Sequence, residues 1–279
     1  MRTKAGTDML HRHILCHAES PSVSMHIFLT IARTTWTETR RSRVATVCLL
    51  AMAAAAGMAL FLSQVAIAEV RETQATLAGT LLRATAVFIT ASFVVSAIVR
   101  ELQERVVELI LSRPVSRSAY VLGKVAGFSV ACAALCLALF FAAALVSPPM
   151  AAAAWSASLF VELLVVACAS VFCSLALGQF VASLATVAGA YLLARSISAL
   201  GSIAASPLAR EPGWVDHVMQ GVAASLDAIL PPLDRMADSA WLASGPPAMQ
   251  DWLAPLAQSA LFAVLLLAAT LVDFYRKNF

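Results

Sequence analysis

The chain has 279 residues, of which 61% are hydrophobic and 13% are charged, and its formal net charge is +3 at pH 7. Soluble domains are about half apolar and about a quarter charged, so this composition excludes an ordinary soluble protein and indicates an all-α, polytopic membrane protein. The lipid bilayer is therefore its first expected partner. A charge of +3 is too small to indicate a nucleic-acid partner.

The N-terminal region is expected to have two parts. Residues 1–24 are polar and without periodicity, which predicts a disordered tail and leaves open whether it belongs to the mature protein. The segment HRHILCH, residues 11–17, carries ligand types that leave soft-metal binding as an alternative to a plain extension. Residues 25–43 combine apolar and basic positions with Trp36, which predicts an interfacial helix with an aromatic anchor.

Six apolar segments predict transmembrane helices, which together form a membrane domain over residues 25–279. A hydrocarbon core about 30 Å thick needs roughly 20 apolar residues per helix. The segments are residues 44–68, 76–99, 120–146, 154–177, 180–203 and 258–272, the last extendable at both ends. Glu69 to Glu72 are expected to form the turn between the first two spans. Only Gly178 and Gln179 separate the fourth and fifth spans, which predicts antiparallel neighbours.

Residues 204–257 differ in composition from the spans around them. They contain seven prolines and three tryptophans, separated by short apolar stretches. Proline interrupts helices, and tryptophan favours the membrane interface. This pattern predicts short amphipathic helices on the outer membrane surface.

Six spans place both termini on one side of the membrane, and the basic residues concentrate on that side. They are Arg33, Arg40, Arg41, Arg43, Arg100, Arg105, Arg113, Arg117, Lys124, Arg276 and Lys277, against Arg71, Arg210 and Arg235 on the other side. The positive-inside rule then makes that side cytoplasmic. We therefore expect both the N-terminus and the C-terminus inside the cell.

The densest run of charge, residues 100–124, lies between the second and third spans. Its charged residues recur at three- and four-residue spacing opposite an apolar face, which predicts an amphipathic coupling helix on the cytosolic surface. They are Glu101, Glu104, Arg105 and Glu108. Arg113-Pro114 ends this helix, because the residue before a proline is pushed out of the helical region. Ser116 is the predicted N-cap of the next helix, which places Tyr120 and Lys124 near the lipid headgroups.

Three ionisable residues fall within spans: Arg83, Glu162 and Arg195. Glu162 lies 16 residues before Gly178 and Arg195 lies 17 residues after it, so both are predicted at nearly the same depth. A charge in hydrocarbon is costly, which favours pairing or a polar cavity. Two interpretations follow. Either Glu162 and Arg195 form a structural ion pair, or the three residues line a path for an anionic or zwitterionic headgroup.

Motifs for catalysis and for nucleotide binding are absent from the sequence. Gly123-Lys124 lacks the preceding glycine and following hydroxyl residue of a phosphate-binding loop, and there is no His-Glu-x-x-His or Gly-x-Ser-x-Gly. The sequence therefore predicts no enzyme, no catalytic or metal site and no cofactor in this chain. Energy for any transport would come from a partner or an ion gradient.

These features resemble the membrane subunit of ABC exporters of the type-2 permease class, similar to the permeases associated with nitrous oxide reductase maturation. The resemblance rests on a Leu-Ser-x-Pro-Val-Ser-Arg-x-x-Tyr-x-x-Gly-Lys signature, joined by the interfacial helix and by ILPPLDRM at residues 229–236. Its positions are Leu111, Ser112, Pro114, Val115, Ser116, Arg117, Tyr120, Gly123 and Lys124.

The resemblance implies two cytosolic ABC ATPase subunits that bind ATP, a second permease chain, identical or homologous, and the bacterial plasma (inner) membrane. The ATPases would dock on residues 101–117. The coupling residues would be Glu101, Glu104, Arg105, Glu108, Arg113 and Arg117. The two arginines would hold this segment against anionic headgroups.

Two other function classes stay open. A secondary transporter driven by protons or sodium would need carboxylates near the midplane, of which Glu162 is the candidate. A membrane scaffold or assembly factor would need no transport path at all. The cargo of an exporter is equally open, with lipid, peptide, antibiotic, sulfur species and sodium ion all compatible with the sequence.

Overall fold

The structure is a computed structural model. It describes residues 53, 57, 70–104, 117–144, 147–205, 221, 231, 233–245 and 249–276. The expected tail, the interfacial helix and, apart from residues 53 and 57, the first span lie outside the described residues. So do residues 105–116, which include most of the expected coupling helix.

The described part of the chain is all-helical. Its helices are α1 Val70–Gln103, α2 Arg117–Ala144, α3 Pro149–Leu177, α4 Phe180–Ala205, the short α5 Trp241–Ser244, and α6 Met249–Arg276. Four of them, α1, α2, α3 and α6, are long and apolar enough to cross a membrane, and α4 carries a further apolar stretch, Phe180–Ser196. These helices indicate a multi-pass membrane protein.

Helix α1 is longer at both ends than the sequence predicts. It begins at Val70, so the turn expected over Glu69 to Glu72 is wrong for its last three residues. The first turns contain good helix formers, Arg71, Glu72, Gln74 and Ala75, which let the helix start early. At the other end α1 continues through Arg100 to Gln103. Glu101 therefore belongs to this long helix and not to a separate surface helix.

The hairpin of α3 and α4 follows the prediction. Gly178 adopts the left-handed conformation with φ 67°, and its N–H donates to the Ser174 carbonyl at 3.0 Å. Glycine adopts this conformation without steric cost, which allows α3 to end and α4 to begin two residues later. Helix α3 itself begins at Pro149, because proline is well suited to the first helical position.

Helix α3 is the centre of the bundle. It contacts α1, α2, α4, α5 and α6. Trp155, Leu159 and Leu163, one turn apart, are all fully buried. The outward faces of the surrounding helices carry large apolar side chains such as Phe88, Phe141, Val181, Leu261 and Val264, as expected of surfaces that meet lipid.

Residues 233–245 depart from the predicted outer-surface segment. Leu233, Met236 and Ala237 are buried, and α5 packs against α1 and α3. The prediction of amphipathic helices on the surface is therefore wrong for this part, which we call the inserted loop. Non-helical backbone is tolerated at this position because helix side chains satisfy its polar groups, as described below. Pro255, expected to interrupt a helix, lies within the first turns of α6.

Candidate functional site

Two clusters of buried polar side chains stand out in the described bundle. The central cluster consists of Arg83 on α1, Ser158 and Glu162 on α3, and Tyr191 and Arg195 on α4. These residues lie near the middle of their helices. The structure thus brings the three ionisable residues singled out in the sequence close enough for their charges to interact.

Both arginines of the central cluster bind the backbone of the inserted loop. Arg83 Nη1 donates to the carbonyl oxygen of Ala237 at 2.7 Å. Arg195 Nη1 donates to the carbonyl oxygens of Leu233 and Met236, the latter at 3.1 Å. The two guanidinium groups, from different helices, therefore hold one loop inside the bundle and are partly neutralised by its carbonyl dipoles.

The loop is also held from α3. Ser158 Oγ accepts a hydrogen bond from the Ala237 N–H at 2.9 Å. Ala237 has φ 47°, a conformation that side chains other than glycine rarely adopt. The bonds from Arg83 and Ser158 flank this residue on both sides, so surrounding contacts keep it in a strained conformation.

Glu162 is fully buried, and only one of its two carboxylate oxygens has a hydrogen-bond partner among the described residues. Its Oε1 accepts a hydrogen bond from the Tyr191 hydroxyl at 2.7 Å. Its Oε2 has no hydrogen-bond partner among the described residues, and the same holds for Arg83 Nε. The salt bridges of the described chain do not include Glu162 with Arg83 or Arg195.

The ion pair between Glu162 and Arg195, one of the two interpretations of the sequence, is therefore not formed directly. The arginines reach loop carbonyls instead. Backbone acceptors leave no signature in a sequence, which is why the depth of the charged residues could be estimated and their partners could not. The loop carbonyls, Ser158 and Tyr191 are the members of the cluster that sequence reasoning missed.

The second group, which we call the Glu101 cluster, lies at the end of the bundle where α1 finishes and α2 begins. Tyr120 donates its hydroxyl to Glu101 Oε2 at 2.6 Å, and Lys124 forms a buried salt bridge with Glu101 Oε1. Tyr120 also stacks on Phe274 of α6 with ring centroids 5.8 Å apart. Tyr120 and Lys124 are thus buried, although the sequence places them at the headgroups.

Arg117 extends the cluster to the C-terminal end of α6. Its Nη1 donates to the carbonyl oxygens of Phe274 at 3.0 Å and Tyr275 at 3.3 Å. These carbonyls belong to the last turn of a helix, where a cation also interacts favourably with the helix dipole. The Glu101 cluster therefore joins three helix ends, those of α1, α2 and α6.

The six expected coupling residues are placed differently from one another. Glu101 points into the protein, with 7% of its surface exposed, whereas the sequence places it on a contact surface. Glu104 is exposed in the turn after α1. Arg117 is partly exposed and donates hydrogen bonds to carbonyl oxygens of α6. Arg105, Glu108 and Arg113 lie outside the described residues.

The described residues do not form a metal centre. No group of three or more histidine, cysteine or carboxylate side chains in this part of the chain is placed to hold a metal ion. Its cysteines, Cys132, Cys136, Cys168 and Cys173, are free thiols within helices. The histidine-containing segment over residues 11–17 lies outside the described ranges.

Comparisons with known proteins found no family model that matches the chain and no similar curated protein.

Proposed function

We propose that the chain is the membrane-spanning permease subunit of an ATP-driven ABC-type exporter, in which a separate cytosolic ATPase supplies the energy. The observation that carries this proposal is the Glu101 cluster. Three polar residues of the permease-like signature, Arg117, Tyr120 and Lys124, converge there on α1 and α6. In this proposal the signature is the mechanical joint of the transporter.

The joint lies where residues 105–116 connect α1 to α2. A partner that displaces this connection would move both helix ends and, through Arg117 and Tyr120, the end of α6. The movement stays concerted because separating a buried ion pair would leave uncompensated charge in a low-dielectric interior. Glu101 then transmits the movement inside the protein.

The ATPase docks on exposed residues at the end of the bundle where the Glu101 cluster lies. Glu104 is exposed directly after α1, and Arg105 and Glu108 follow it in the sequence. Charged side chains at the rim of such a contact steer association and fix its register. We therefore assign Glu104 to the docking surface and Glu101 to transmission.

A second permease chain completes the proposal. The outward faces of α2 and α6 are apolar and include Leu122, Phe141, Leu261 and Val264. Two such chains, identical or homologous, would enclose a path between them in the bacterial plasma membrane. Lipid would cover the remaining apolar faces.

A secondary transporter is the second candidate, and one observation favours it. Glu162 lies in the middle of α3, fully buried, with one unmatched oxygen. Ion-coupling carboxylates occupy such positions near the membrane midplane. The two candidates differ in their energy source, which is measurable.

The test is ATP hydrolysis by the complex purified from native membranes. The tagged full chain is expected to co-purify with an ATPase that carries a phosphate-binding loop. Glu104→Lys is expected to lower the ATP hydrolysis associated with the chain. Gln179→Lys, which adds a positive charge to the exposed turn between α3 and α4 at the same end of the bundle, serves as the matched control.

Two outcomes would count against the exporter. One is the absence of any co-purifying ATPase, and the other is an equal effect of Glu104→Lys and Gln179→Lys. Transport that continues without ATP and stops when the ion gradient is collapsed would establish the secondary transporter instead.

A further inference from the structure

The central cluster contains one donor and one acceptor that the described residues leave unmatched. Arg83 Nε and Glu162 Oε2 are both buried, and both lack a hydrogen-bond partner among the described residues. A buried polar atom without a hydrogen-bond partner destabilises the protein, and more so when it belongs to a charged group. Such atoms call for a specific explanation, and a missing ligand is the one that the following contacts favour.

The chemistry of the ligand follows from the two atoms that lack a hydrogen-bond partner, Arg83 Nε and Glu162 Oε2. Arg83 Nε is a donor of a cationic group and needs an acceptor, whereas Glu162 Oε2, when the carboxylate is ionised near the two arginines, needs a donor. A headgroup with a protonated amine and an anionic phosphate or carboxylate supplies both. An anion alone would leave Glu162 unmatched, and a cation alone would leave Arg83 unmatched.

The inserted loop already occupies part of this position. The Ala237 carbonyl on Arg83 Nη1 is a neutral acceptor, and guanidinium groups bond more strongly to anionic oxygens than to neutral ones. Ala237 is also the strained residue of the loop. An anionic group that displaces this carbonyl would therefore release strain as well as form the stronger bond.

An apolar cleft is lined in part by Tyr191, whose hydroxyl binds Glu162, whereas Glu162 itself and the two arginines lie outside its lining. Its walls come from α3, α4, the inserted loop and α6, and they include Val166, Val187, Leu233 and Phe262. Apolar walls next to a charged centre suit a molecule with an apolar tail and a polar head.

On the basis of the transport function proposed above, we infer that the central cluster binds the zwitterionic headgroup of the cargo. Glu162 Oε2 accepts from the ammonium group and Arg83 donates to the anionic group, in place of its bond to Ala237. The same chemistry occurs in a membrane lipid and in a free amino-phosphate, so the experiment separates these two sources.

The experiment measures headgroup preference in the isolated full chain, without ATP. The chain is placed in nanodiscs of phosphatidylcholine, whose ammonium group has no N–H. Trace labelled phosphatidylethanolamine is compared with phosphatidylmethanol, an anionic lipid whose headgroup has no N–H or O–H donor. We expect phosphatidylethanolamine to bind about tenfold more tightly, because one charge-assisted hydrogen bond distinguishes the two probes. Competition by soluble glycerophosphoethanolamine would identify a free zwitterion as the source, and its failure to compete would identify the lipid.

Glu162→Gln is expected to abolish this preference while its amide oxygen still accepts from Tyr191. Asp238→Asn is the matched control: it removes the same charge from the exposed side of the loop, and its amide oxygen can keep the bond to the Ala240 N–H. Arg83→Lys, which loses Nε as a donor, is expected to lower the binding affinity of both probes. This second variant keeps the test informative if Glu162→Gln does not fold.

The inference is overturned if the wild-type chain shows no preference, or if Glu162→Gln and Asp238→Asn behave alike. Neither result depends on an ATPase. Failure of this inference is therefore distinguishable from failure of the proposed function, which the ATP hydrolysis experiment tests on its own.

Discussion

Glu101 and Glu162 are both buried glutamates, but their surroundings differ. Each oxygen of Glu101 has a partner, Tyr120 on one and Lys124 on the other. Glu162 has Tyr191 on one oxygen and none among the described residues on the other. A fully matched buried carboxylate stabilises its surroundings, whereas a half-matched one is available to a ligand. This difference agrees with the proposed roles of Glu101 in transmission and of Glu162 in headgroup binding.

At the same scale, removing the charge of Glu101 is expected to destabilise the protein strongly. Glu101→Gln leaves the Lys124 ammonium buried without its counter-charge, and breaking a buried pair in this way costs about 3–5 kcal/mol. The double variant with Lys124→Met removes both charges and is expected to recover most of this loss. The measurement is the free energy of unfolding in detergent.

Glu104→Gln is the control for this prediction, because Glu104 is exposed a few residues away. Its effect is expected to stay within about 0.5 kcal/mol. Equal losses in Glu101→Gln and Glu104→Gln would show that the Glu101 cluster is not a rigid joint.

Between elements, the inserted loop packs closely against α1 at Gly79. A Cβ atom at this position would lie 2.6 Å from Leu242 Cδ1 and 3.1 Å from Ser239 Cβ. The Thr80 hydroxyl also bonds to the Ser239 hydroxyl at 3.0 Å. The contact between α1 and α5 therefore depends on the missing side chain of Gly79.

Gly79→Ala is accordingly expected to push α5 away from α1. Overpacking of this kind costs about 1–3 kcal/mol, which exceeds the gain in helix propensity from glycine to alanine. Gly189→Ala in α4 is the matched control, because a Cβ atom there would meet nothing within 4 Å. It is expected to leave the free energy of unfolding unchanged or to raise it. Equal changes in the two variants would contradict the close packing of the loop.

The sequence predicted the helices better than the connections between them. The α3 and α4 hairpin could be predicted because Gly178 and Gln179 permit one geometry only. The inserted loop could not, since proline and tryptophan are equally compatible with the membrane surface and with a loop whose backbone is bonded by buried arginines. The composition of a segment predicts that its backbone is irregular. How deeply the segment lies in the bundle depends on side chains far away in the sequence, which its composition does not show.

The sequence also predicted the candidate site residues better than their contacts. Arg83, Glu162 and Arg195 were identified because charge within an apolar span stands out. The burial of Glu101 was missed because the spacing of the glutamates indicates one continuous charged face. In the structure α1 continues past Arg100, and Tyr120 and Lys124 approach from the next helix to bind Glu101.

At the scale of the whole molecule, the two ends of the bundle divide the proposed functions. One end carries Glu104, Arg117 and the turn at Gln179, and the other carries the end of α2 and the start of α3, where Met150 is exposed. Arg100, Arg117 and Arg276 lie at the first end among the described residues, and by the positive-inside rule we expect this end in the cytoplasm. An ATPase can reach that end only if this orientation holds.

Cysteine labelling in intact cells tests the orientation. Gln179→Cys is expected to react with a membrane-impermeant maleimide only after permeabilisation, and Met150→Cys at the start of α3 is expected to react without it, each compared with the wild-type background. The native thiols Cys132, Cys136 and Cys168 are buried, which keeps their own labelling low. The reverse pattern would place Glu104 and the Glu101 cluster outside the cell, where no ATP-driven partner could act on them. The central cluster would keep its unmatched donor and acceptor, so headgroup binding would then have to serve a transporter with another energy source.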